Sequence, residues 1–219
     1  MLKVVIYDCG YGGELLADWL EAELPILEII RVIDWRNAHK MQSSSKYARR
    51  IAETDLRPYV GRVDLIILAN HLLAITSLKY FRRKYKSQRF IGFNLKKPTS
   101  PPKDNSIILT TKAVTKTINY HNFVFHLRRR TKTVVLDTWP AKIDDGELTM
   151  QEIRGELSRL VMHGSHSQEV FLICSQFCDI EKELVNVFGR NLKIHDGLSD
   201  ILRETCKTLR LRGSLKKLK

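Results

Sequence analysis

A thiol and a methyl occupy matching places in two stretches that read alike, Asp64-Leu65-Ile66-Ile67-Leu68-Ala69-Asn70-His71 and Glu169-Val170-Phe171-Leu172-Ile173-Cys174-Ser175-Gln176. Each is an acidic residue, four apolar residues, a small residue and a polar pair, followed by a helical pattern. A wholly apolar run of this length suits a strand buried on both faces of a parallel sheet. In open α/β sheets, whatever stands just past the carboxyl end of such a strand points into the ligand crevice. Cys174 is therefore placed for thiol chemistry, which needs nearby donors or positive charge to lower its pKa from about 8.5. Its counterpart Ala69 has no such chemistry.

A second constellation closes the first strand. Asp8-Cys9-Gly10-Tyr11-Gly12-Gly13 precedes an amphipathic pattern, and glycines there allow a tight turn and expose amides at a helix N-terminus, which suits an anionic ligand. The segment lacks the spacing of the dinucleotide fingerprint and the Lys-Ser/Thr of a P-loop, so a nucleotide site is disfavoured. The competing reading is a plain strand-to-helix turn with Asp8 as a cap. His71 is a candidate base or acid, against the alternative of a structural hydrogen-bonding role. Cys174 and Cys178 lie one helical turn apart, but without neighbouring histidines no metal is expected there. His163-Gly164-Ser165-His166 reads as a connector and Trp19, Trp35 and Trp139 as packing residues.

These residues need elements to hold them. Strand-like runs fall near 2–8, 28–33, 63–69, 89–94, 106–111, 122–127, 133–137, 169–174 and 191–195. Helical patterns fall near 13–23, 44–56, 72–85, 112–120, 150–162, 179–188 and 198–211. The alternation predicts an α/β fold with parallel sheets flanked by helices. Lys96 to Asn105 carries three prolines and no apolar residue, the composition of a linker or domain crossing. The halves on either side have comparable content, a weak internal duplication.

With 219 residues, 43% of them apolar, the chain can bury one large or two small cores. The apolar run at the N-terminus is short and ends in Asp8, which reads as a strand and not a signal peptide. No apolar stretch is long enough for a membrane span. The four cysteines at 9, 174, 178 and 206 are irregularly spaced, so a reducing, cytoplasmic setting is expected. The net charge of +13 gathers in Arg82-Arg83-Lys84, in Arg128 to Lys132 and in the tail from Arg203. Three readings stay open: a solvated surface, a nucleic acid or anionic partner engaged through the basic tail, and a field that attracts a small anionic substrate.

Taken in order, the motifs resemble those of the glutamate racemase family within the aspartate/glutamate racemase superfamily. The family's opening Asp-Ser-Gly-x-Gly-Gly is matched by Asp8 to Gly13 with Cys9 in place of serine. Its first catalytic Cys-Asn-Thr corresponds to Ala69-Asn70-His71, and its second, Cys-Thr-His, to Cys174-Ser175-Gln176. Its Gly-Thr-x-x-Thr-x-x-Ser-x-x-Tyr is matched from Thr110 to Tyr120, keeping Thr111 and Tyr120, with a hydroxyl at Thr117 and Val114 replacing the middle threonine. A late Asp-Ser-Gly is echoed by His195-Asp196-Gly197. Of the family's Gly-Asp only Asp34 remains, its Pro-Tyr-Gly corresponds to His39-Lys40-Met41, and its Cys-Pro segment to Asp137-Thr138-Trp139-Pro140 with Asp144, Asp145 and Glu147 downstream.

The resemblance implies two facing, pseudo-symmetric α/β domains with a cleft between them, residues 1–95 with 196–219 forming the first and 96–195 the second. It implies cofactor-independent inversion, or one-base exchange, at the α-carbon of a small anionic amino acid of the glutamate or aspartate type, as in the supply of peptidoglycan precursors. Cys174 would be the acid/base and Asp8 its assisting carboxylate, with Cys9 or His71 as substitutes for the cysteine absent at Ala69. Cys9, Asn70, His71, Thr111, Thr117, Ser175 and Gln176 would contact substrate, without cofactor or metal, in a chain that forms a homodimer. Two alternatives stay open: an impaired relative that binds an anionic ligand or a macromolecule, and retention of one thiol for other proton-transfer or hydrolytic chemistry on a related carboxylate.

Overall fold

The computed structural model describes residues 1–95, 106–127, 131–162 and 169–211. The proline-rich segment, Arg128 to Arg130, the His163–His166 loop and the tail beyond Leu211 lie outside the described residues. The chain divides into two compact units, Met1–Asn94 with Gly197–Lys219, and Leu95–Asp196.

The first unit begins β1 (Leu2–Asp8), α1 (Tyr11–Glu23), β2 (Leu27–Ile33), a 3-10 turn at Trp35–Asn37, α2 (Ala38–Ser43) and α3 (Ser45–Leu56). β3 (Leu65–Leu68), α4 (His71–Lys84) and β4 (Phe90–Gly92) follow. All pairings are parallel, in the order β2-β1-β3-β4. The central strands are apolar because both faces are covered: Val4 to Tyr7 and Leu65 to Leu68 are completely buried. β2 lies at the edge, where Arg31 is clasped by Glu14, Asp18 and Glu21 of α1.

The second unit repeats the plan. It contains β5 (Ser106–Thr110), α5 (Lys112–Thr115), α6 (Ile118–Leu127), β6 (Thr131–Val135), α7 (Trp139–Asp144), α8 (Met150–Met162) and β7 (Glu169–Ile173). A 3-10 helix at Ser175–Ile180, α9 (Glu181–Phe188) and β8 (Lys193–His195) complete it. The sheet is again parallel, in the order β6-β5-β7-β8. α10 (Leu198–Leu209) then packs on β3 and β4 of the first unit, burying Ile201, Leu202, Thr205, Cys206 and Leu209 along one helical stripe. It starts at Gly197, whose φ of 80° and close approach to the Phe93 ring leave no room for a side chain.

Three expectations change. Residues 122–127, read as a strand, form the end of α6, because Tyr120, Phe123 and Leu127 bury at helical spacing. The predicted helix over 112–120 is correspondingly split into α5 and the start of α6. Trp35 stands exposed in its 3-10 turn, whereas Trp139 is buried and Trp19 packs against the first core. α2 and α7 were not read from the sequence at all; each is only six residues long, too short to show a periodic stripe.

Candidate active site

Strand register makes the two halves directly comparable. Tyr7 pairs with Leu68 on β1 and β3, and Thr110 pairs with Ile173 on β5 and β7. The next residues, Asp8 and Ala69 in one unit and Thr111 and Cys174 in the other, therefore stand side by side at the carboxyl ends of central strands. Cys174 and Ala69 are structural counterparts, one a thiol and one a methyl.

In the first unit Asp8, Cys9, Asn70 and His71 come together, all buried. Asp8 Oδ1 accepts the Cys9 amide at 2.7 Å, and the turn is tight enough that a Cβ on Gly13 would stand 2.5 Å from Asp8 Cβ. Asp8 therefore does not cap α1: the cap position is Gly10, and no side chain bonds there. Asn70 caps α4, its Oδ1 accepting the Leu73 amide at 2.9 Å. That bond fixes the orientation of the amide group, so its Nδ2 donates to Cys9 Sγ at 3.2 Å.

His71 opens α4 with its ring stacked on Phe93, centroids 4.0 Å apart. Burial lowers its pKa to about 3. Its imidazole is neutral across the physiological range, and among the described residues Nδ1 has no partner.

The second unit gathers Thr111, Cys174, Ser175 and Gln176, all buried. Cys174 Sγ donates to Gln176 Oε1 at 3.0 Å. Gln176 Nε2 in turn donates to Asp144 Oδ2 on α7 at 3.3 Å, which fixes the glutamine so that its carbonyl oxygen faces the thiol. Thr110 Oγ1 ties the neighbouring strands by donating to the Ile173 carbonyl. Thr117 is not with this group: its hydroxyl donates to the Val114 carbonyl and accepts the Tyr120 amide at the start of α6.

Sequence reasoning missed the groups bordering these strand ends. Tyr7 is fully buried and donates its hydroxyl to Asp55 Oδ2 at 2.9 Å, with Met41 Sδ also close. Burial and the Asp55 carboxylate push its phenol far up. Asp55, shared with Asp34, is raised chiefly by burial. Met41, the last residue of the His39-Lys40-Met41 segment, is a core residue. In the second unit burial, together with Asp196 and Glu181, pushes the Cys178 thiol well up, which leaves it a poor metal ligand or nucleophile. Among the described residues no group of three or more His, Cys, Asp or Glu is placed to hold a metal, and no helix is long and apolar enough to cross a membrane.

No protein-family model and no curated protein matches the chain by sequence. Solved structures do match. The glutamate racemase of Escherichia coli, in complex with L-glutamate and the activator UDP-MurNAc-Ala, superposes with a TM-score of 0.73 at 18% identity, over 95% of this chain and 82% of the enzyme. Glutamate racemase isoform RacE1 of Bacillus anthracis gives 0.76 at 16% identity, over 98% and 83%. Allantoin racemase from Klebsiella pneumoniae gives 0.60 at 15% identity, over 98% and 93%. The chain therefore has a two-unit α/β fold of the kind seen in these solved structures. It is similar in fold to both glutamate and allantoin racemases.

Proposed function

We propose that this chain is a cofactor-independent amino-acid racemase that exchanges the α-proton of a small acidic amino acid. One observation carries the reading: each unit places a buried thiol at a strand end against a side-chain amide, Cys9 receiving a donor from Asn70 and Cys174 giving its proton to Gln176. Inversion without a cofactor needs one base to take the α-proton and one acid to deliver another to the opposite face. A thiolate and a thiol that exchange roles between the two directions meet that need.

In this scheme Cys174 is the acid in one direction and the base in the other. Cys9 stands in for the cysteine that Ala69 lacks, and Asp8 assists it. Neutral His71 contributes packing and polarity and carries no positive charge at neutral pH. Amides of the turn after Asp8, with Asn70, Thr111 and Ser175, hold the substrate carboxylate and stabilise negative charge as it develops at the α-carbon.

Deuterium wash-in at the α-position of L- and D-glutamate and aspartate tests the reading. Exchange with inversion, lost by about 10²–10⁴-fold in both Cys174→Ala and Cys9→Ala, is the expected result. Exchange without inversion, lost only in Cys174→Ala, would replace it with one-base chemistry. Absence of exchange with all four amino acids would leave an impaired relative that binds its ligand without turning it over.

A further inference from the structure

α3 and α4 pack side by side on the first sheet, and together they bring two distant basic segments to one face. Residues 45–62 and 79–89 hold eleven Lys or Arg and two acidic residues. Both acids are engaged. Asp55 accepts the Tyr7 hydroxyl in the unit's interior, and Glu53 accepts the hydroxyls of Tyr80 and Tyr85 and the Lys84 ammonium. Of the other cations, six fall at helical spacing: Lys46, Arg50 and Arg57 along α3 and just past its end, Lys79, Arg83 and Lys86 along α4 and just past its end, all exposed. None of these six is paired with a carboxylate among the described residues.

The seam between the helices stiffens this face. The Arg49 guanidinium lies over the Tyr80 ring at 4.7 Å and that of Arg50 over Tyr47 at 5.5 Å. Arg82, Arg83 and Lys84 complement the dipole at the end of α4. That accounts for the last turn only, not for Lys46, Arg50, Arg57 or Lys79. Because α4 connects the parallel strands β3 and β4, its basic end, Arg82 to Lys84, lies at the edge of the sheet away from Asp8 and Cys9. That end of the field is therefore poorly placed to serve the strand-end site.

We infer that the α3–α4 face is a docking surface for nucleic acid, engaged through the phosphate backbone. The inference rests on this surface alone and is independent of the racemase reading. A two-helix array of unpaired cations complements a polyanion of regularly spaced charge. The tyrosine rings are covered by cations or tied to Glu53, so base stacking adds little and binding is indifferent to sequence. An anionic membrane is the weaker match. Interfacial helices insert large apolar side chains, whereas the exposed ones here, such as Trp35, Ile118 and Phe125, lie on neither α3 nor α4.

The test is fluorescence anisotropy of the full chain with labelled oligonucleotides of about 20 residues, single-stranded RNA and duplex DNA, from about 50 to 200 mM salt. Binding should weaken steeply with salt. The triple variant Lys79→Glu/Arg83→Glu/Lys86→Glu should bind about tenfold more weakly or worse, with the salt slope shallower by about 2 for single strands and 3 for duplex. The triple Gln variant at the same exposed sites should give the same direction with less perturbation, and circular dichroism checks that both fold. Three results would overturn the inference: binding unchanged in both variants, binding lost on truncation after Leu211 but not in the variants, or no oligonucleotide binding alongside capture by phosphatidylserine vesicles.

Discussion

Asn70 and Cys9 are 61 residues apart in the chain, yet Asn70 Nδ2 donates to Cys9 Sγ at 3.2 Å while its Oδ1 caps α4. One amide group thus couples a helix start to the state of a buried thiol. Asn70→Ala should have two separable effects. Loss of the cap costs about 0.5–2 kcal/mol of stability, read by urea denaturation. Loss of the donor removes the amide contact on the Cys9 sulfur, read as a faster rate of thiol alkylation in a Cys174→Ala/Cys178→Ala/Cys206→Ala background. An unchanged rate would show that Asn70 serves the helix alone.

His71 predicts an acid limb in stability. Its folded pKa is lowered to about 3 by burial, while the unfolded chain titrates near 6.5. Between these values the unfolded state binds more protons, so stability rises with pH there and is lost as pH falls from about 6.5 towards 3. The contribution is on the order of 3 kcal/mol by pH 4. His71→Phe keeps a ring against Phe93 but removes the titration and an unpartnered Nδ1. The melting temperature of the variant should fall less steeply below pH 6.5 than that of the wild type, and identical slopes would rule this out.

Gly13 separates the two demands on the turn after β1. Alanine is ordinarily the better helix residue by about 1 kcal/mol. Here its Cβ would stand 2.5 Å from Asp8 Cβ and 2.7 Å from Ile33 Cδ1. Asp8 Cβ sits too near the backbone to swing away, so the clash wins. Gly13→Ala should destabilise by about 1–3 kcal/mol in chemical denaturation and depress α-proton exchange by displacing Asp8. A stabilised variant would mean that α1 shifts freely on the sheet.

Much of this architecture was legible because both central strands announce themselves. Val4 to Tyr7 and Leu65 to Leu68 are apolar without alternation, the pattern of strands covered on both faces. Cys174 and Ala69 were legible as strand ends for the same reason. Residues 122–127 were not, since a run of aromatic and β-branched residues also satisfies a helix that buries only Tyr120, Phe123 and Leu127. The bonds around the thiols were hidden as well. Asn70 to Cys9 and Gln176 to Asp144 are tertiary contacts that no local period encodes. The basic face was hidden because its halves, on α3 and α4, become neighbours only when the helices pack.

Glu181 and Asp196 give a pH dependence of the opposite kind at the end of β8. Burial, with the Asp196 carboxylate adding to it, raises Glu181 to about 7, against roughly 4.3 for an unperturbed glutamate. Below the unfolded value both states are protonated and the full stability is present. As pH rises towards 7 the unfolded chain releases its proton first, so stability falls through this window and stays lower above it. Glu181→Gln removes the titration while retaining a side chain that can bond Asp196. The variant should gain about 1–2 kcal/mol over the wild type at pH 8, once solvent screening of a half-buried group is allowed for, with the gap closing by pH 5. Urea denaturation at the two pH values measures the difference directly. A gap that is equal at both would place the effect in packing, and the carboxyl pair would then carry no pH response.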